Sequence, residues 1–222
     1  MTDTQRDLFI RHFPVSHETL AKLDRYQELL IEWNQKFNLV AASTIPQIWT
    51  RHFLDSAQLY PLVLKEGGTC LVDIGSGAGF PGLVLAIMGV TGIHLVDSVG
   101  KKANFLKEVA KELSLDVTVH NDRIENLKEL KADIVTARAV GALPELLKLA
   151  QRVLAPEGTC LFLKGQNAEL ELTESAKYWT FKSKVVPSLS DSSGHLIILR
   201  QVQHRKAIAQ QTASSRKRAQ NV

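Results

Sequence analysis

Residues 71–82 read Leu-Val-Asp-Ile-Gly-Ser-Gly-Ala-Gly-Phe-Pro-Gly, and no other stretch narrows the possible folds as far. A short apolar run, residues 69–74, is bounded by Gly67-Gly68 and by Gly75, the pattern of a strand covered on both faces. Pro81 suits the first turn of a helix, where its missing N–H costs nothing, and residues 83–90 continue as an apolar helical segment. A strand that turns directly into a helix leaves free N–H groups at the helix N-terminus, and residues without Cβ let a ligand approach them. The loop therefore reads as a nucleotide cradle. The plainer alternative is a tight turn with nothing bound, for which three alternating glycines are more than required.

Two registers of the loop imply different chemistry. Gly77-Ala78-Gly79-Phe80-Pro81-Gly82 satisfies the dinucleotide fingerprint G-x-G-x-x-G. Asp73-x-Gly75-x-Gly77-x-Gly79 is an acid-led pattern that resembles S-adenosylmethionine (SAM) methyltransferases. A pyrophosphate needs a positive helix end, whereas SAM has no phosphate and carries a sulfonium and an ammonium. A carboxylate at the strand end is the better partner for such a ligand. The second register is favoured, with Asp73 facing the cofactor's cationic end.

With 222 residues, 45% hydrophobic and 23% charged, the chain has the make-up of one soluble domain with a sizeable core. No stretch approaches a membrane span and residues 1–11 are too polar for a signal peptide, so a cytoplasmic location is expected. Cys70 and Cys160 each follow a Gly-Thr pair at a strand start and lack CxxC or Cys/His companions, so no metal site is expected. The charge is uneven. No acid follows Asp191, whereas six cations do, and without residues 192–222 the formal charge of +4 becomes −2. That basic end reads either as a solvated terminus or as an electrostatic arm for nucleic acid.

Along the chain, residues 2–12 form a short lead that Pro14 interrupts. Leu20, Leu23, Tyr26, Leu30 and Trp33 recur at helical spacing and predict an amphipathic helix over 17–36, and a third helix is expected over 46–58. From Gly67 the period changes. Strands are expected at 69–74, 92–97, 116–120, 132–137 and 159–164, with helices at 81–88, 101–113 and 143–154. This order predicts an α/β fold whose doubly wound parallel sheet binds ligands at the carboxyl ends of its strands. Residues 181–187 and 195–201, joined by a turn-rich segment, predict a C-terminal antiparallel hairpin. The expected organisation is one domain: an N-terminal helical cap over 1–60, a core over 61–203 and a basic, flexible tail over 204–222.

Polar residues at the strand ends are the candidate site. Asp97 closes the second strand, 22 positions beyond Gly75, where a carboxylate can accept both hydroxyls of an adenosine ribose. After the third strand come Asn121 to Glu125, where a backbone edge and a carboxylate can meet adenine, or where Asn121 or Asp122 caps a short helix. Arg138 follows the fourth strand directly. A cation beside a buried run implies an anion to meet.

Taken together, Trp33-Asn34, Arg51-His52-Phe53-Leu54-Asp55-Ser56, the loop, Asp97-Ser98-Val99-Gly100-Lys101-Lys102, Arg123-Ile124-Glu125 and Arg138-Ala139 resemble the bacterial small-subunit (16S) ribosomal RNA guanine-N7 methyltransferase G family, once called glucose-inhibited division protein B. The resemblance runs in order from about Tyr26 to Leu199. It implies a class I SAM-dependent methyltransferase fold with a Rossmann-like sheet, acting on N7 of one guanosine in 16S rRNA, free or in the small ribosomal subunit. It places SAM contacts on Gly75, Phe80, Ile124, Glu125 and Arg138, to which the residue-level reading adds Asp73, Gly77 and Asp97. Lys101, Lys102 and Lys164 are the candidate RNA contacts. No metal and no membrane partner is expected, and a monomer is expected.

Guanine N7 bears a lone pair and no proton, so methyl transfer to it asks for alignment rather than a general base, and no catalytic residue is assigned. On that reading His52 and Asp55 form a buried hydrogen-bonded pair, and His94 is an ordinary strand histidine. Two other classes share parts of the pattern: an NAD-dependent oxidoreductase, which would need a catalytic pair that is not evident, and an RNA-binding protein with a vestigial SAM site.

Overall fold

The computed structural model describes residues 4–206. Of the tail, Arg216, Lys217 and Arg218 lie outside the described residues. The chain opens with α1 (Gln5–His12), which Thr4 and Asp7 start with a reciprocal capping box. Next comes α2 (His17–Asn34), whose N-cap Ser16 accepts from the Thr19 N–H at 3.1 Å. The single helix expected over 46–58 is instead three short pieces. A 3-10 turn (Ala42–Gln47) leads to a π-helical turn (Trp49–Leu54) and then to α3 (Asp55–Ala57). Pro46 lies in the 3-10 turn, where it cannot supply the N–H that a continuous α-helix needs.

After α4 (Tyr60–Glu66) come β1 (Leu71–Ile74), α5 (Gly82–Ile87), β2 (Ile93–Val96), α6 (Gly100–Glu112), β3 (Val117–His120) and β4 (Ala132–Arg138). The chain continues through α7 (Leu143–Ala150), β5 (Leu154–Lys164), α8 (Ala168–Ala176), β6 (Trp179–Pro187) and β7 (His195–His204). Helices α4 and α8 have no counterpart in the sequence expectation. Strand β5 starts at residue 154, so α7 ends before the expected 143–154 helix does. The sheet order is β3-β2-β1-β4-β5-β7-β6, parallel from β3 to β5 and antiparallel where β7 joins β5 and β6.

Why the strands read as unbroken apolar runs is visible in their parity. Leu71, Ile93, Leu95, Ile134, Leu161 and Ile198 join one hydrophobic cluster with Leu23, Phe53, Leu83 and Phe105 from the helices on that side. The intervening Val72, Ile74, Val96, Val135, Cys160 and Ile197 join a second with Leu146, Leu147 and Trp179 on the other. Alternate side chains of a strand point to opposite faces, so a sheet covered on both is apolar at most positions. The N-terminal helices share the first cluster with α5 and α6, and Tyr26 of α2 donates its hydroxyl to the Ala78 carbonyl in the glycine loop. No described helix is long and apolar enough to cross a membrane.

Candidate functional site

The carboxyl ends of β1, β2, β3 and β4 open into a cavity of about 370 Å³. Gly75, Asp97, Val99, Ile124, Glu125 and Val140 line it, together with Lys102. Gly75 has φ +64, in the left-handed region, and a Cβ there would lie 2.8 Å from Val140 Cγ2. Glycine thus lets the loop turn and lets Val140 stand as a cavity wall. Asp97 is nearly buried, and its two oxygens accept from the Gly77 N–H (2.9 Å) and the Val99 N–H (2.8 Å). Each oxygen keeps a second lone pair. On the far side, Asp122 accepts from the Arg123 N–H and the Asn126 amide, both at 2.7 Å, so it organises the turn that carries Ile124 and Glu125.

Asp73 is placed otherwise than expected. It is fully buried and is not among the residues lining this cavity; its carboxylate accepts from Thr136 Oγ1 (2.8 Å) and the Gly82 N–H (3.2 Å). Burial raises its carboxyl to about 6 against those hydrogen bonds. The acid that begins the loop therefore holds the loop to β4 and α5. Gly77 likewise contributes an N–H to Asp97, and a Cβ added to it meets nothing closer than 3.7 Å. Phe80 is buried and lines neither cavity. Its ring stacks on His52 at 4.7 Å, and the Arg138 guanidinium lies over it at 4.7 Å.

The anion that Arg138 meets is internal. Its Nη1 donates to Asp55 Oδ2 (3.2 Å) and to the Arg51 carbonyl (2.9 Å), while Nη2 donates to His52 Nδ1 (2.8 Å). His52 and Asp55 are thus not bonded to each other as expected; Arg138 stands between them. His52 Nε2 reaches Thr44 Oγ1 at 2.8 Å. Because Nδ1 accepts from a guanidinium, the ring proton sits on Nε2 and is donated to threonine. Burial, with Arg138 and Arg51 nearby, lowers His52 to about 3, so the imidazole is neutral with its lone pair occupied.

These groups line a second cavity of about 470 Å³ beside the first. Three ion pairs stand around it: Arg138–Asp55, Arg51–Asp191 and Lys164–Glu171. Lys164, expected to be an RNA contact, is almost buried and donates to the Gly141 carbonyl (2.6 Å) and Glu171 (2.7 Å). Lys101 lies over the Phe37 ring at 4.9 Å, and Lys102 belongs to the first cavity. The sequence reading gave no role to Thr44, Glu171, Ser190 or Asp191. Their only signal was residue type, since each comes from a segment remote from the glycine loop. Ala139 lines both cavities and holds φ +57, a conformation that costs a residue with a Cβ about 1–2 kcal/mol.

A family model described as rRNA small subunit methyltransferase G matches residues 19–201. The chain is similar to the ribosomal RNA small subunit methyltransferase G of Paramagnetospirillum magneticum, 52% identical over 193 residues covering 87% of this chain and 94% of the relative. It is similar to that of Rhodospirillum centenum, also at 52%, over 86% of this chain and 88% of the relative. Among solved structures, an O-methyltransferase from Bacillus cereus in complex with SAH matches with a TM-score of 0.59 at 15% identity, over 90% of this chain and 98% of the other. A methyltransferase from Geobacter sulfurreducens matches at 0.58 and 14%, over 81% and 88%. At those identities the likeness is one of fold, the Rossmann-like α/β fold of SAM-dependent methyltransferases.

Proposed function

Since this chain belongs to the rRNA small subunit methyltransferase G family, we propose that it transfers a methyl group from SAM to N7 of one guanosine in 16S rRNA, in the cytoplasm. The observation that carries the reading is the pair of cavities meeting at Ala139, one shaped for a nucleoside and one beside it.

The first cavity suits SAM by its donor set. Asp97 offers lone pairs to a ribose diol, and Val99, Ile124 and Val140 give apolar faces for a purine, with Glu125 at the rim. Arg138 lines the second cavity, next to the shared Ala139; its Nε–H and one Nη2–H have no partner among the described residues, and they can hold a carboxylate. When bound, SAM supplies an electrophilic methyl on a sulfonium. The chain's own residues orient and exclude water. Asp73 clamps the loop, Phe80 and His52 stack to hold Arg138, and Ala139 stands where the two cavities meet. No proton has to leave N7, which agrees with a site whose one buried imidazole is neutral and already hydrogen-bonded. Positioning supplies the rate.

The test has two arms. SAM, and not NAD, should raise the melting temperature, because only a ligand of the native state stabilises it. Small-subunit rRNA treated with enzyme and SAM should then become cleavable at one guanosine by borohydride and aniline, since N7 methylation leaves that ring cationic and easily opened. A methylated RNA that resists cleavage excludes N7.

A further inference from the structure

We propose that the second cavity takes the target guanine and that Glu171 reads its Watson–Crick edge, an inference that rests on the function proposed above. With N7 turned toward the wall shared with the first cavity, the base points its N1–H and N2 amino donors away from that wall. Those donors need an acceptor. Three carboxylates line the cavity, and two have both oxygens already engaged. Asp55 Oδ1 accepts from Ser190 Oγ (2.6 Å) and Gln58 Nε2 (2.9 Å) while Oδ2 takes Arg138. Asp191 Oδ1 accepts from the Ser193 N–H (2.9 Å) and Oγ (2.8 Å) while Oδ2 takes Arg51.

Glu171 differs. Its Oε2 accepts from the Leu143 N–H (2.6 Å) and Lys164 Nζ (2.7 Å), and its Oε1 has no partner among the described residues. The carboxylate is therefore aimed and charged, yet keeps one oxygen for a ligand. Leu39, Val40 and Leu163 supply apolar surface for the ring, and the cavity volume accommodates a purine nucleoside. The geometry also discriminates. Adenine would turn an N1 lone pair toward the same carboxylate and leave it repelled and unpaired. As N7 gains the methyl, the ring becomes cationic and its N1–H more acidic, so a facing carboxylate binds more strongly in the transition state than before it.

The experiment pairs protein and base changes. Small-subunit rRNA is rebuilt with guanosine or inosine, which lacks the N2 amino group, at the position the wild type methylates. Single-turnover rates are measured for wild type, Glu171→Gln and Glu171→Ala. Wild type should lose about ten- to hundredfold on inosine, the value of a hydrogen bond to a charged group. Both variants should be slow on guanosine and no slower on inosine, while the melting-temperature rise with SAM stays that of wild type. Variants that still distinguish guanosine from inosine as wild type does, or a wild type indifferent to the exchange, overturn the assignment. Failure of wild type on guanosine RNA would instead strike the proposed function itself.

Discussion

The two cavities meet at one residue and are built on opposite principles. The first is made by topology: Gly75, Asp97, Ile124 and Val140 all sit at or just beyond the end of a parallel strand. The second is assembled by ion pairs between segments far apart in the chain, with Arg138 bound to Asp55, Arg51 to Asp191 and Lys164 to Glu171. A cavity of the first kind is set by sterics and tolerates few changes of backbone. One of the second kind depends on charges satisfying one another, and answers to pH and to single side-chain removals.

The largest expected effect breaks the first cavity alone. Gly75→Val should lower SAM affinity more than a hundredfold in calorimetry, because it adds a positive-φ penalty to a 2.8 Å encounter with Val140. Gly77→Val carries the backbone penalty without the encounter and should lose distinctly less; equal losses would show that Val140 does not define the wall.

Next comes the second cavity. Arg138→Met leaves Asp55 without its cation and should cost about 2–3 kcal/mol in urea unfolding, below the full value for a buried pair because both side chains keep 17% exposure. Lys102→Met at the rim of the first cavity should cost less than about 0.5 kcal/mol. Restoring neutrality with Arg138→Met/Asp55→Asn should recover part of the loss, and no recovery would argue that the ion pairs do not hold this cavity together.

The smallest effect sets the regions against each other by pH. His52, lowered from its ordinary 6.5 to about 3, binds its proton more readily in the unfolded chain, so its contribution is full above 6.5 and is lost as pH falls. Asp73, raised from 3.8 to about 6, binds its proton more readily in the native state, so its contribution is full below 3.8 and is lost as pH rises. Between about pH 4 and 6 the two slopes oppose. Asp73→Asn should make stability rise with pH there by about 1 kcal/mol per unit, and His52→Gln should make it fall. Parallel slopes in the two variants would contradict this division.

Much of this was legible before any coordinates. The alternation of strands and helices, the hairpin, the carboxylate at Asp97 and the cavity-lining Gly75, Ile124 and Glu125 follow from local pattern, because each stands at a fixed place relative to a strand end. Asp73, Phe80 and Lys164 stand out by residue type and position, but their partners do not. What a side chain turns toward depends on its neighbours across the sheet: Thr136 for Asp73, His52 and Arg138 for Phe80, Glu171 for Lys164.

The sequence by itself determined the doubly wound sheet and the glycine loop, since hydrophobic period and missing Cβ atoms act over a few residues and need no knowledge of what lies opposite. Only the tertiary structure decided the second cavity. Arg51 and Asp191 are separated by 140 positions and Arg138 and Asp55 by 83, and charges find partners through space. Nothing local in Glu171 distinguishes it from a solvated helix residue until the fold sets Lys164 and the Leu143 N–H against one of its oxygens and leaves the other open.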